Sequence, residues 1–554
     1  MRLNHFFPAA PRSRLGGWRR RIDTALRRLG PTWRAAPIRR VIQVLSLAVF
    51  LDLFFRVSWP YAAVFTHDVF AEKEWLPVEV FLWLDPLVGL STALAARAWN
   101  VALIGMLGIL ALGVFLPRAF CGYLCPLGTL IDGFDFLLGK RVWRTRISVS
   151  DRWANLRFYL LAAVLAAALL GVLWSGFVAA IPVLTRGLAF TGAQLQLGWM
   201  KHWNMVPPFL PAVLVSIGLF ALVFLLSLMG PRFWCRYVCP SGALLSLPGW
   251  LRYSRRRVTE ACIDCGKCVE VCPFDAINPD FGTRAMACTV CQTCGGVCPT
   301  QAIQFGSVLP APIVSKPATA FARPLSRRAM LLSTLGGAVS VTAFRPAREN
   351  APAPIRPPGS VPEKQFLARC IRCEQCLKVC PGPVLQADGV AHGLESLWTP
   401  VAVFPHAGCH QDCNFCTQVC PTGAIQPLTL AEKRRTQMGL AVVDTRTCLP
   451  HRGERDCQLC FDECNAAGYR AIEMREIQLP MGEVPAGAFS TDELEAMGRI
   501  RAPFVNAELC TGCGLCEYRC HTSIFKQQHL LERSAIVVAG VREQRKLAPP
   551  PPDA

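Results

Sequence analysis

Four apolar runs mark the first half of the chain, at about Ile38–Val57, Ala98–Leu116, Phe158–Trp174 and Phe209–Met229. Each is near the ~20 residues that a helix needs to cross a bilayer, so the pattern predicts four spanning helices. Val80–Ala96 is also apolar but carries Asp85-Pro86, and it reads as a re-entrant or interfacial helix; a fifth span there would invert everything downstream. A last apolar stretch, Ala329–Phe344, is short, holds glycines and hydroxylated residues, and follows Arg327-Arg328. This is the pattern of an internal twin-arginine signal, which addresses a folded, cofactor-loaded domain for export and can remain as a fifth helix. The plainer reading is an ordinary helix that begins with two arginines. Val341-x-Ala343 is a weak signal for cleavage by a signal peptidase.

Charge orients these helices. The chain has 554 residues and a net charge of +20, with 38 Lys+Arg against 16 Asp+Glu in residues 1–362 and 20 against 22 in 363–554. Residues 1–40 hold eleven arginines and one acid, which suits an amphipathic segment on anionic headgroups and a cytoplasmic N-terminus. The segments after the second and fourth runs are basic (Arg118, Lys140, Arg141, Arg144, Arg146, Arg152; Arg232, Arg236, Arg252, Arg255, Arg256, Arg257), and those after the first and third are not. Both basic segments are therefore expected inside. No basic stripe with interleaved aromatics lies outside the flanks of the apolar runs, so nucleic acid is not an expected partner.

Within this region the chain repeats itself. Pro117–Leu130 reads PRAFCGYLCPLGTL and Pro231–Leu244 reads PRFWCRYVCPSGAL, each at the cytoplasmic end of the second helix of a pair, as in two parallel repeats. Cys121/Cys125 and Cys235/Cys239 stand i, i+4, on one helix face. Brought together, the four thiols could hold a metal or an iron–sulfur centre, or cycle between thiol and disulfide. Small buried cysteines that only pack are the alternative.

The remaining 24 of the 28 cysteines fall into six groups, a spacing that indicates cluster ligation rather than a disulfide scaffold. Cys262/Cys265/Cys268/Cys272 and Cys288/Cys291/Cys294/Cys298 both read C-x-x-C-x-x-C-x-x-x-C-P. In such pairs three cysteines hold three corners of a [4Fe–4S] cubane and the fourth ligates the other cluster: Cys262, Cys265, Cys268 with Cys298, and Cys288, Cys291, Cys294 with Cys272. Zinc would want one closed four-ligand set instead. Cys370/Cys373/Cys376/Cys380 and Cys510/Cys513/Cys516/Cys520 keep the standard spacing, Cys409/Cys413/Cys416/Cys420 has one extra residue, and Cys448/Cys457/Cys460/Cys464 has eight residues in its first gap. No Cys-x-x-Cys-His occurs and no histidine lies in the spanning runs, so neither c-type nor bis-histidine haem is expected. Six clusters without a flavin motif or nucleotide loop pass single electrons and show no site for substrate chemistry.

The duplicated C-x-x-x-C-P motif with four helices and a two-cluster tail, over about residues 38–305, resembles the NapH/MauN type of membrane ferredoxin. The twin-arginine segment with four cysteine groups in the order standard, widened, very wide, standard resembles the NapG/MauM type. The chain thus looks like a natural fusion of the two. The resemblance implies electron transfer from membrane quinol to a periplasmic reductase or c-type cytochrome, as in a quinol dehydrogenase. It also implies that the first and last C-terminal groups share ligands, as do the middle two: Cys370, Cys373, Cys376 with Cys520; Cys510, Cys513, Cys516 with Cys380; Cys409, Cys413, Cys416 with Cys464; Cys448, Cys457, Cys460 with Cys420. A rival reading is a redox assembly or maintenance factor for a periplasmic metalloenzyme. Candidate quinol-site groups are Asp52 and Arg56, spaced to pair near the outer end of the first helix, with His67, Glu79 and Asp85.

The expected fold is an α-helical membrane domain of four helices in two repeats plus a fifth helix, carrying α+β ferredoxin-like polycluster domains. The division is a basic segment 1–40, a membrane domain 41–250, a cytoplasmic two-cluster domain 251–308, a linker with the signal 309–362, a periplasmic four-cluster domain 363–546 and a proline-rich tail 547–554.

Overall fold

The computed structural model describes residues 31–56, 77–138, 155–200, 211–251, 253–307, 324–349, 353–478 and 499–540, with isolated positions besides. Most of the basic N-terminal segment, His67, Lys140–Arg152, most of the proline-rich linker and the tail lie outside these residues. The helices that matter are α1 Pro37–Arg56, α2 Pro86–Ala96, α3 Ala102–Phe115, α4 Pro126–Leu137, α5 Leu156–Leu169, α6 Ala180–Ala189, α7 Pro211–Leu225, α8 Pro240–Leu244 and α9 Arg327–Glu349.

All four apolar runs are helical, but four full spans are not what the helices show. Among the described residues only Pro211–Leu228, α7 with a closing 3-10 turn, is long and apolar enough to cross a bilayer; α2, α3 and α5 are shorter. The second run is cut short because Arg97 turns left-handed (φ 51°) and Asn100 accepts from the N–H of Leu103 at 3.1 Å, starting α3 late. The third ends at Gly171, φ 87°.

The repeat seen in the sequence is structural. Each copy runs from a long helix through a half-length helix to a second apolar helix, then a π-helical turn (Phe120–Leu124; Trp234–Val238), then a helix that starts on the motif proline. Val80–Ala96 breaks at Asp85-Pro86, where Asp85, fully buried, caps α2 by accepting from Leu87 N–H at 3.1 Å. Its other oxygen accepts from Ile181 N–H of α6 (3.3 Å) and from Ser241 Oγ of α8 (3.2 Å). One carboxylate thus ties both half-helices to the second cysteine motif.

The motifs do not stay at the end of the bundle as expected. Along α1, Arg39 donates to Gly122 O at 3.0 Å and Ser46 to Leu124 O at 2.7 Å, so the first motif folds inward to the middle of that helix before α4 leads back out. At 1.5 Å per residue Ser46 lies ~14 Å from the start of a helix ~30 Å long.

The two cysteine-rich modules sit at opposite ends of α1. Residues 254–307 close on the antiparallel pair β1 (Ser254–Val258) and β2 (Ile303–Ser307), and Gly296 of this module presses against Ala35, just before α1. At the far end Lys378 of the second module donates to Phe54 O and stands 3.6 Å from the centre of the Phe54 ring. Trp398 donates to Ala212 O at the start of α7 (2.7 Å), and Arg372 to Leu173 O (3.0 Å). Among the described residues the second module carries three two-stranded sheets: β3 (Leu385–Ala387) with β4 (Pro400–Ala402), β5 (Leu440–Val443) with β8 (Ile536–Ala539), and β6 (Ile472–Gln478) with β7 (Arg499–Val505).

The twin-arginine stretch is the body of α9, and it packs along α5. A Cβ added at Gly337 would lie 2.7 Å from Ala163 Cα, so the two backbones touch where a side chain has no room. Leu331, Leu332, Leu335 and Val339 of α9 face outward, exposed.

Candidate iron–sulfur sites

The four groups with standard spacing share one local geometry that the sequence did not announce. In each, the second and fourth residues after the first cysteine are left-handed: Asp264 and Gly266, Val290 and Gln292, Arg372 and Glu374, Gly512 and Gly514, all between φ 49° and 73°. Such alternation turns successive N–H groups to one side, a concavity suited to an anion. A short helix then carries the third cysteine, as in Lys267–Val271, Thr293–Val297, Gln375–Val379 and Leu515–Cys520. The widened groups lack the paired left-handed residues among the described positive-φ positions.

In the second module the cysteines surround cavities. Cys370, Cys373, Cys376 and Cys420 line one; Cys380, Cys409, Cys413 and Cys416 a second; Cys448, Cys457, Cys460 and Cys520 a third. Cys464 joins the remaining group, within electrostatic reach of Cys510 and Cys516. This corrects the ligand sharing implied by resemblance: neighbours in sequence exchange their fourth cysteines, first with second and third with fourth. Cys380 and Cys420 each reach into the adjoining group, whereas a first-with-last exchange would have to span the Cys409 cavity, which stands between the Cys370 and Cys510 groups.

The cysteine groups adjoin one another in succession. The Cys370 group abuts the helices, since Arg186 of α6 donates to Arg372 O (3.4 Å) and Gly176 leaves room for Ile371 O. It exchanges a cysteine with the Cys409 group; Cys409 N–H then donates to Cys513 O at 2.8 Å, reaching the Cys510 group, which exchanges with the Cys448 group at the far end. In the first module Cys272 lies with Cys288, Cys291 and Cys294, as the motif predicts. Cys265 is exposed, and Cys262 and Cys298 are half-buried.

Among the described residues no three His, Cys, Asp or Glu side chains close on a single metal ion. Backbone N–H groups point at the sulfurs: Ala276 to Cys272 (3.3 Å), Ile425 to Cys420 (3.4 Å), Ala471 to Cys464 (3.3 Å) and Ala441 to Cys510 (3.5 Å). Such bonds stabilise charge on cluster sulfur. Burial pushes Cys272, Cys413 and Cys513 up to about 12 and Cys370 and Cys448 up to about 11, so iron binding to these five thiols would release their protons.

The four motif thiols converge: Cys121, Cys235 and Cys239 all lie within electrostatic reach of Cys125, and Cys125, Cys235 and Cys239 share one apolar core. Two arginines hold the loops crosswise. Arg232, from the second copy, donates to Cys121 O (2.9 Å) and Gly128 O (3.1 Å) of the first; Arg118, from the first, donates to Cys235 O (3.4 Å) of the second. Sequence reasoning took both only as charges marking the cytoplasmic side, whereas they are buried between the copies. Asp52 and Arg56 do pair, at 3.2 Å, but both side chains are about half exposed at the end of α1. Glu79 and Asp85 are buried.

Two family models, each described as a 4Fe-4S binding domain, match the chain, one at residues 100–145 and 212–258 and the other at 257–278. The methylamine utilization ferredoxin-type protein MauM of Methylophilus methylotrophus is 34% identical over 199 residues, covering 34% of this chain and 76% of that protein. MauN of Paracoccus denitrificans is 35% identical over 247 residues, 43% of this chain and 75% of its own length. The ferredoxin-type protein NapG of Escherichia coli is 34% identical over 173 residues, 30% of this chain and 65% of that protein. No solved structure matches. With 4Fe-4S binding domains and relatives of this kind, the chain belongs to the ferredoxin-type iron–sulfur electron-transfer proteins of the MauM, MauN and NapG family.

Proposed function

We propose that the chain joins a MauN-like half to a MauM/NapG-like half in one membrane protein that carries electrons from the quinol pool to a periplasmic reductase or cytochrome through six [4Fe–4S] clusters. The layout supports this best: cysteine-rich modules stand at opposite ends of a ~30 Å helix, and in the second the cysteine groups adjoin one another in succession, beginning at the helices. The bundle also has a lipid-like exterior, with Val41, Leu45 and Val49 of α1, Ile104 and Leu107 of α3, Leu214 and Leu222 of α7 and Leu331 and Leu335 of α9 all exposed. In this reading α9 follows the second module's export and anchors it, the short helices α2 and α6 are re-entrant, and the Arg-rich segments mark the cytoplasmic side.

The test is reconstitution. Protein with intact clusters, placed in liposomes containing a reduced quinol analogue, should show bleaching of its cluster absorbance, and added oxidised cytochrome c outside should restore the oxidised spectrum. Clusters reduced by dithionite but untouched by any quinol would overturn the quinol step.

A further inference from the structure

We propose that Arg256 sets the reduction potentials of both clusters of the first module, its guanidinium standing between the two and donating to cluster sulfur. The inference rests on the cubane reading of that module and on neither the quinol nor the acceptor. Arg255, Arg256 and Arg257 look alike in the sequence, but only the middle one is buried: β1 alternates, with Ser254, Arg256 and Val258 inside and Arg255 exposed. Arg256 lies opposite Phe305 of β2, over the apolar core that holds Cys268, Cys288 and Cys294. A strand facing such a core ordinarily places a β-branched or aromatic residue there.

The side chain has more hydrogen-bond donors than partners. Nη1 donates to Phe281 O at 2.9 Å and to Thr283 Oγ1 at 3.0 Å, while Nε and Nη2 are buried and make no hydrogen bond. Both acceptors are neutral, and among the described residues no carboxylate pairs with the guanidinium. A buried cation in that state is costly unless an anion stands beside it.

The anions in reach are the clusters. Arg256 lies within electrostatic reach of Cys268, which belongs with Cys262, Cys265 and Cys298, and of Cys294, which belongs with Cys288, Cys291 and Cys272. These two cysteines ride on Lys267–Val271 and Thr293–Val297, short helices that pack on each other. Burial pushes both thiols up, and the guanidinium is the foremost influence drawing them back toward thiolate. Its unused N–H groups suit the sulfur acceptors that cluster binding brings. A cubane with four thiolates carries about −2 when oxidised and about −3 after taking one electron, with no bond or proton exchanged. A cation at the cluster favours the more negative state, and N–H···S bonds spread the added charge, so both raise the potential. Because one group serves two clusters, both should move together.

The experiment is a dithionite titration of the full-length protein, purified anaerobically in detergent and followed by electron paramagnetic resonance. Cys265→Ala and Cys291→Ala, each altering one cluster, identify the two first-module signals. Arg256→Gln, which keeps a donor but loses the charge, should lower both midpoints by about 59 mV or more, a tenfold or greater shift in each one-electron equilibrium. Arg256→Lys, which keeps the charge but loses the fork, should lower both by about two- to tenfold. Arg255→Gln removes the same charge at the exposed neighbour and should change either equilibrium by less than about twofold. Midpoints in Arg256→Gln equal to wild type, a shift of one cluster alone, or an equal shift in Arg255→Gln would overturn the proposal. Should Arg256→Gln fail to assemble its clusters, Arg256→Lys decides, and wild-type midpoints there would overturn it. Wild-type protein without two cubanes in the first module would overturn this inference and the six-cluster reading together, whereas cubanes with unmoved midpoints overturn this inference alone.

Discussion

Replacing Gly336 and Gly337 by alanine, one at a time, makes the same chemical change on two faces of α9. At Gly336 an added Cβ meets nothing within 4 Å, so the substitution should act through helix propensity and stabilise the helix by about 1 kcal/mol. At Gly337 the new Cβ would lie 2.7 Å from Ala163 Cα and nearer still to Ala163 O, where ordinary contact begins at 3.4 Å. Helices α9 and α5 must then part by about 1 Å, an overpacking that costs about 1–3 kcal/mol against the same propensity gain. The expected gap between the variants is thus about 1–3 kcal/mol. Hydrogen exchange of the α9 amides in detergent-solubilised protein reads this directly: about fivefold slower in Gly336→Ala, and faster than that variant by about five- to 150-fold in Gly337→Ala. Equal effects in both variants, or absence of α9 from the purified chain, would refute the packed helix and favour a signal that is cut away.

Exchange of fourth cysteines between adjacent groups has its own signature: Cys420→Ala should remove the cluster nearest the helices and Cys520→Ala the outermost one, which distinct cluster signals in redox-titrated samples would report. The ligand sharing drawn from resemblance expects the reverse. Loading of all six groups corresponds to about 24 iron and 24 sulfide, and chemical analysis near eight iron would exclude a four-cluster second module. Trp398→Ala removes a ring that donates to Ala212 O and lies 4.1 Å from the Arg186 guanidinium; docking of the second module should weaken by about 3–5 kcal/mol, seen as faster exchange at residues 173–177. Changing Arg327 and Arg328 to lysine should leave the second module protected from protease added to spheroplasts, whereas in wild type it should be digested.

What the sequence made legible was whatever depends on local spacing. The cysteine groups, the duplicated motif, the break at Asp85-Pro86 and the helical character of each apolar run all follow from a few neighbouring residues. The cysteine sharing in the second module did not, because it depends on how far Cys380 and Cys420 reach in space, and analogy suggested the wrong neighbours. The depth of the C-x-x-x-C-P motif was equally hidden: an apolar run ends at Leu116, yet Arg39, Gln43 and Ser46 draw the following loop back inward by hydrogen bonds to Gly122 O and Leu124 O. Nor does hydropathy reveal that Arg97 and Gly171 shorten their helices, since a left-handed turn costs one residue and leaves the average unchanged.

The crossed grip of Arg118 and Arg232 has a consequence for ancestry. Each arginine reaches from its own copy to the cysteine loop of the other, so residue i meets j and the counterpart of j meets the counterpart of i. That is the reciprocity of an isologous dimer. A single-copy forebear with the same Pro-Arg and C-x-x-x-C-P would have gathered four thiols only by pairing with a twin. Tandem joining then made the twin permanent and released the copies from identity. Asp132, seven residues after Cys125, has become the partner of Arg232, while the matching place after Cys239 holds Ser246, whose hydroxyl turns back to Ala243 O.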